Sequence, residues 1–65
     1  MKPTLREILD VEARIKALGF KLAPFLEEIE IHAGTWSKWK NGIGPTDENW
    51  SMVLGAVAVK EQEAA

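Results

Sequence analysis

A chain of 65 residues makes one domain, near the low end of what folds unaided. It contains no cysteine, which removes a disulfide framework and any thiolate metal site and fits a reducing compartment. Eight Lys and Arg against ten Asp and Glu leave a net charge of −2, a balance that speaks against a non-specific nucleic-acid coat. The longest uncharged runs, such as Asn49 to Val59, are too short to span a bilayer. Met1 to Glu7 meets charge before a signal-peptide core forms, so the expected location is the cytoplasm.

Thr4 opens the first element. Glu7 follows three residues later, the capping-box spacing that satisfies free N–H groups at a helix start. Leu5, Ile8, Leu9, Val11, Ile15 and Leu18 recur at helical spacing, while Arg6, Asp10, Glu12, Arg14 and Lys16 take the remaining surface. Gly19 stands where a left-handed terminator is wanted, so the spacing predicts a helix over 5–18. Pro24 fits the first turn of a second helix, over 24–29, with Phe25, Leu26 and Ile29 facing inward. Glu27 and Glu28 oppose its macrodipole, so packing rather than local propensity must hold it.

Glu30-Ile31-His32 reads as a turn anchored by Ile31, and a third helix follows, ended by Asn41-Gly42. Trp36 and Trp39 are three apart and share one face, while Gly34, Ser37, Lys38 and Asn41 fall on others. From His32 to Thr46 there are two lysines and no acids, so the field is weakly positive there and negative on both sides. After the loop Ile43-Gly44-Pro45, Thr46 caps a fourth helix with Asp47 and Glu48 in its first turn. Trp50, Val53, Leu54 and Val57 give it an apolar stripe, and residues 60–65 form a polar, helix-compatible, frayed end. These elements predict an all-α fold, a compact bundle of four or five helices. The second and third helices, joined by a very short turn, form a helix-turn-helix, and the first and fourth close the core beneath it.

Phe25 to Gly42 resembles the helix-turn-helix of the phage-repressor-like (Cro and repressor type) DNA-binding domains. Thr35-Trp36-Ser37-Lys38-Trp39-Lys40-Asn41-Gly42 aligns without a gap to that family's run of Thr-Ile-Ser-Arg-Trp, two variable residues and Gly, and Ile31 takes the place of the valine in its turn. The resemblance covers roughly residues 20–58. It departs at Glu30, where the family has a turn glycine and a left-handed conformation costs ~1 kcal/mol. It departs also at His32, in place of a serine N-cap, and at Leu26, in place of a small residue.

The resemblance implies a lambda-repressor-like fold and a single helix-turn-helix domain over 1–65, with an ordered core about 4–60 and the motif about 24–41. It implies a small sequence-specific regulator of transcription, of phage or bacterial type, that binds double-stranded DNA. The recognition helix, about 33–41, would lie in the major groove. Carried over position by position, His32, Ala33, Gly34, Ser37 and Lys38 face the groove, Lys38 donating to guanine and Ala33 touching a thymine methyl. Thr35, Lys40 and Asn41 are placed for phosphates, with Lys21 and the Ala23–Pro24 helix start beside them.

A homodimer through the fourth helix (Met52, Ala56, Val59) would set two such helices about 34 Å apart. The alternative is a protein-interaction adaptor that keeps the fold without binding DNA, favoured by the acidic total and by Glu27, Glu28 and Glu30. The tryptophans Trp36, Trp39 and Trp50 read as core rather than base-stacking groups. No catalytic set, phosphate-binding glycine loop, cofactor, metal or small-molecule substrate is expected, since His32 has no second His or Cys beside it.

Overall fold

A computed structural model describes residues 2–65 and contains four helices: α1 (Leu5–Ala17), α2 (Leu22–Glu28), α3 (Ala33–Lys40) and α4 (Asp47–Ala64). Among the described residues there is no strand. The Cα radius of gyration is 11.0 Å. A compact 65-residue domain is expected near 10.7 Å from the usual size scaling, about the same value.

Three of the four helices start on a side-chain cap. Thr4 accepts from the Glu7 N–H while the Glu7 carboxylate accepts from the Thr4 N–H, closing the capping box of α1. Thr46 accepts from the Asn49 N–H at 3.2 Å and starts α4. His32 caps α3 through Nδ1, which accepts from the Gly34 N–H at 2.9 Å. The side chain of Lys21, at the start of α2, makes no such bond.

The first three helices end in the same way. Each closes with a 6→1 and a 5→2 backbone bond around a residue of positive φ, which is the Schellman arrangement. For α1 the bonds are Phe20 N–H to Ile15 O and Gly19 N–H to Lys16 O, with Gly19 at φ 90°. For α3 they are Ile43 N–H to Lys38 O and Gly42 N–H to Trp39 O, with Gly42 at φ 104°. For α2 they are Ile31 N–H to Leu26 O and Glu30 N–H to Glu27 O, and the left-handed residue, at φ 61°, is Glu30. The chain therefore reverses between α2 and α3 within residues 29–32 on a strained, non-glycine terminator.

Most helix bounds fall within one residue of the sequence reading, and the start of α2 and the end of α4 lie further out. Helix α2 begins at Leu22, so Pro24 is its third residue, still among the positions whose N–H has no intrahelical acceptor. Helix α4 runs to Ala64, through the polar, helix-compatible residues that follow Val59. Arg14 of α1 donates through Nε and Nη2 to the Glu61 carboxylate, a two-pronged pair that fastens this last stretch to the bundle.

The core is built by Ile8, Val11 and Ile15 of α1, Phe25 and Leu26 of α2, and Ile31 of the turn, with Trp36 and Trp39 of α3 and Trp50, Val53 and Val57 of α4. Leu5, Leu9 and Leu54, read from the sequence as part of the inward stripes, are exposed. The buried stripe of α1 is centred on Ile8, Val11 and Ile15, and the two leucines lie at its edge. The three tryptophans form one group beneath α3: Trp36 stands 5.3 Å from Trp39 and 6.4 Å from Trp50, ring centre to ring centre. Aromatic pairs at such spacings add to the area they bury.

Candidate nucleic-acid interface

With Trp36 and Trp39 buried, the opposite side of α3 faces outward. At 100° per residue, Gly34, Ser37, Lys38 and Asn41 fall within one arc of about 100°, and all four are exposed. His32 and Ala33 stand exposed at the start of the same helix. Lys38 makes no ion pair among the described residues. Asn41 is drawn back onto the helix, its side-chain amide donating to the Ser37 carbonyl at 2.9 Å. Gly34 keeps the start of the strip low: a Cβ there would lie 3.0 Å from His32 Nδ1, against the group that caps the helix.

The other sequence-predicted residues are placed differently. Thr35 is half-buried on the flank of α3. Lys21 is exposed, but it sits at the start of α2 rather than on the α3 strip. The helix start expected at Ala23–Pro24 lies inside the first turn of α2, whose N-terminus is at Leu22. Lys40, expected at a phosphate, is instead paired with Glu12 of α1, Nζ to Oε1 at 3.0 Å. The reason is helical arithmetic. Lys40 is four residues after Trp36, so it emerges on the side of α3 that packs on α1.

Glu12 is the polar residue the sequence reading left on the surface. Its Oε1 accepts both the Lys40 ammonium and the Trp36 indole N–H, each at 3.0 Å, and Lys16 stands 3.7 Å from Oε2. Burial acts to raise the Glu12 pKa, but the hydrogen bonds from Lys40 and Trp36 and the charges of Lys40 and Lys16 outweigh it. The carboxyl is held below its ordinary value. A sequence signal for this position existed: Ile8, Val11, Glu12 and Ile15 occupy i, i+3, i+4 and i+7, which puts Glu12 on the buried stripe.

Two open clefts flank this arrangement. One, of about 250 Å³, is lined by Lys2, Pro3, Leu5, Ile8, Trp39, Lys40, Gly42 and Gly44 at the end of α3. The other, of about 210 Å³, runs between α1 and α4 past Asp10, Arg14, Trp50 and Leu54. Among the described residues no three His, Cys, Asp or Glu side chains group closely enough to hold a metal ion, and no helix is long and apolar enough to cross a membrane.

On α4, Met52 and Val59 are exposed, whereas Ala56 is half-buried against the core. Of the three residues expected at a dimer contact, two therefore stand free. Glu27, Glu28 and Glu30 are all exposed at the end of α2 and its turn.

Comparison with protein-family models, with curated proteins and with solved structures finds no match to this chain. What the geometry defines is a small all-helical domain of four helices. One of these, α3, offers an outward strip of small and hydrogen-bonding side chains around Lys38, a lysine without an ion pair among the described residues.

Proposed function

We propose that this chain is a helix-turn-helix domain that binds double-stranded DNA as a small transcriptional regulator, with α3 as the helix entering the major groove. The observation that carries the reading is the exposed strip of Gly34, Ser37, Lys38 and Asn41, backed by buried Trp36 and Trp39. A reading helix needs a rigid back and a front of groups able to reach base edges, and this one has both. Lys38 is the donor suited to guanine O6 and N7, and Ser37 serves either base type. Gly34 and Ala33 let the start of the helix approach closely, and Ala33 offers a methyl for a thymine. Asn41, at the end of the strip, and Thr35, on its flank, are placed for phosphates.

One such domain makes few contacts, so a two-fold pair on adjacent half-sites is part of the reading. Between Glu48 and Glu63 the outer face of α4, with Met52, Gly55, Ala58 and Val59, carries no charge, so a second copy meets that stretch without burying an unpaired ion. Sedimentation at rising concentration tests this pairing. A chain that stays monomeric both free and on a duplex with two half-sites contradicts it.

The test of DNA binding is a titration with a pool of randomised duplexes, first at about 50 mM salt and then at about 200 mM. The reading expects binding that falls steeply with salt, and selection from the same pool then yields the operator. Absence of binding at the lower salt defeats the DNA reading. It would favour a protein-binding adaptor using the acidic surface of Glu27, Glu28 and Glu30.

A further inference from the structure

We propose that Glu12 is a positioning residue that restrains the domain's affinity for DNA, by holding the Lys40 ammonium on the α1 side of α3, away from the phosphates. The inference rests on the nucleic-acid reading above. Of the two lysines on α3, Lys38 points outward without an ion-pair partner among the described residues, while Lys40 is held at 3.0 Å from Glu12 Oε1. The Lys40 side chain is 34% exposed and that of Glu12 only 14%. The carboxylate is fixed by a second donor, the indole N–H of fully buried Trp36, on the same oxygen. Glu12 therefore stays where it is, and Lys40 has to leave it in order to meet any other anion.

Lys40 also lies three residues after Ser37, so it sits at the border between the buried and the outward sides of α3. The four-carbon stem of a lysine is flexible enough to swing from one side of such a border to the other. At the groove edge, where phosphates flank a docked helix, a released Lys40 gains one phosphate contact. Held by Glu12, it contributes none. Half of the positive charge on α3 is thereby neutralised within the fold, and recognition depends more heavily on Lys38 and on base-edge contacts.

The experiment measures equilibrium binding of one duplex over a salt series by the native chain, Glu12→Gln, Lys40→Ala and the double variant, with thermal unfolding of each to establish that it is folded at the assay temperature. Glutamine keeps the size of Glu12 and an acceptor for the Trp36 N–H but removes the charge that holds Lys40. The expected result is a slope of log K against log salt steeper by about 0.9 in Glu12→Gln, the increment for one added phosphate contact. Affinity at low salt should rise with it. Lys40→Ala alone should leave the native slope, and the double variant should return to it.

A Glu12→Gln chain with unchanged slope or weaker binding overturns the inference, and so does a Lys40→Ala chain whose slope is shallower by about 0.9. A purely structural role for Glu12 would lower stability and leave the slope alone. If Glu12→Gln fails to fold, the Lys40→Ala slope decides by itself. A native chain that does not bind at about 50 mM salt removes the DNA reading and this inference together. Native binding with an unaltered Glu12→Gln slope removes only the inference.

Discussion

Replacing Glu30 by glycine should make this protein more stable, although it removes a whole side chain. Glu30 is exposed and occupies the left-handed position of a Schellman cap at φ 61°, the place that Gly19 and Gly42 fill in the other two caps. A residue with a Cβ in that conformation is strained by about 1–2 kcal/mol. Glycine relieves the strain but gives the unfolded chain more freedom, which costs about 0.4–1 kcal/mol. Removing an acid just past a helix C-terminus that already carries Glu27 and Glu28 adds a few tenths of a kcal/mol. The net gain is therefore centred on about 1 kcal/mol, or a rise in Tm of roughly 4–8 °C for a domain of this size.

The reciprocal variants share the same physics. A Cβ at Gly19 or Gly42 meets nothing within 4 Å, so conformation alone decides those two positions. Gly19→Ala and Gly42→Ala should each destabilise by about 1 kcal/mol. Thermal melts followed by circular dichroism measure all three. A Glu30→Gly chain that melts below the native one would refute the reasoning, because it would mean that the glutamate makes a contact worth more than the strain it bears.

Trp36→Ala should cost ~3–5 kcal/mol, since it empties the centre of the tryptophan group and strips Glu12 of its indole donor. A domain of this length is stable by only about 3–10 kcal/mol, so the variant should melt far below the native chain or be unfolded outright in the same melts, and one of native stability would mean that α3 packs by another face. The depressed pKa of Glu12 makes a stabilising contribution that is present above its ordinary value of 4.5 and lost as pH falls below it. Stability measured against pH should therefore fall less steeply on the acid side in Glu12→Gln than in the native chain, and equal slopes would show that Glu12 is not a stabilising carboxylate. Lys38→Ala should weaken duplex binding more than Lys40→Ala does in titrations at one low salt concentration. The opposite order would place the DNA on another side of α3.

Much of the fold was legible because caps and breakers are local. Thr4 with Glu7, Thr46, and the glycines at 19 and 42 mark helix ends through their own backbone chemistry, and the helices begin or end beside them. The longer reach of α4 was not legible in the same way. Residues 60–64 are polar, and what holds them is Glu61 meeting Arg14, a partner 47 residues earlier in the chain. Leu54 misled because an apolar residue at the edge of a stripe looks like one at its centre, and a domain this small lacks enough interior to cover both.

The outward strip of α3 followed from placing its two tryptophans inward. The same argument, carried four residues on from Trp36, places Lys40 on the α1 side of α3 and off the strip. Glu12 lay on the inward stripe of α1 and was set aside because it is charged. A charged residue at such a position is informative, since it stays there only with partners, and here those partners are Trp36 and Lys40.

The most direct test of the proposed interface is to map amide chemical shifts in the isotope-labelled chain as a selected duplex is added. The largest changes should fall on Gly34, Ser37, Lys38 and Asn41, with the amides of Ile8, Val11 and Val53 in the core nearly still. Changes centred on α4, or on Glu27 to Glu30 with α3 unmoved, would contradict the account.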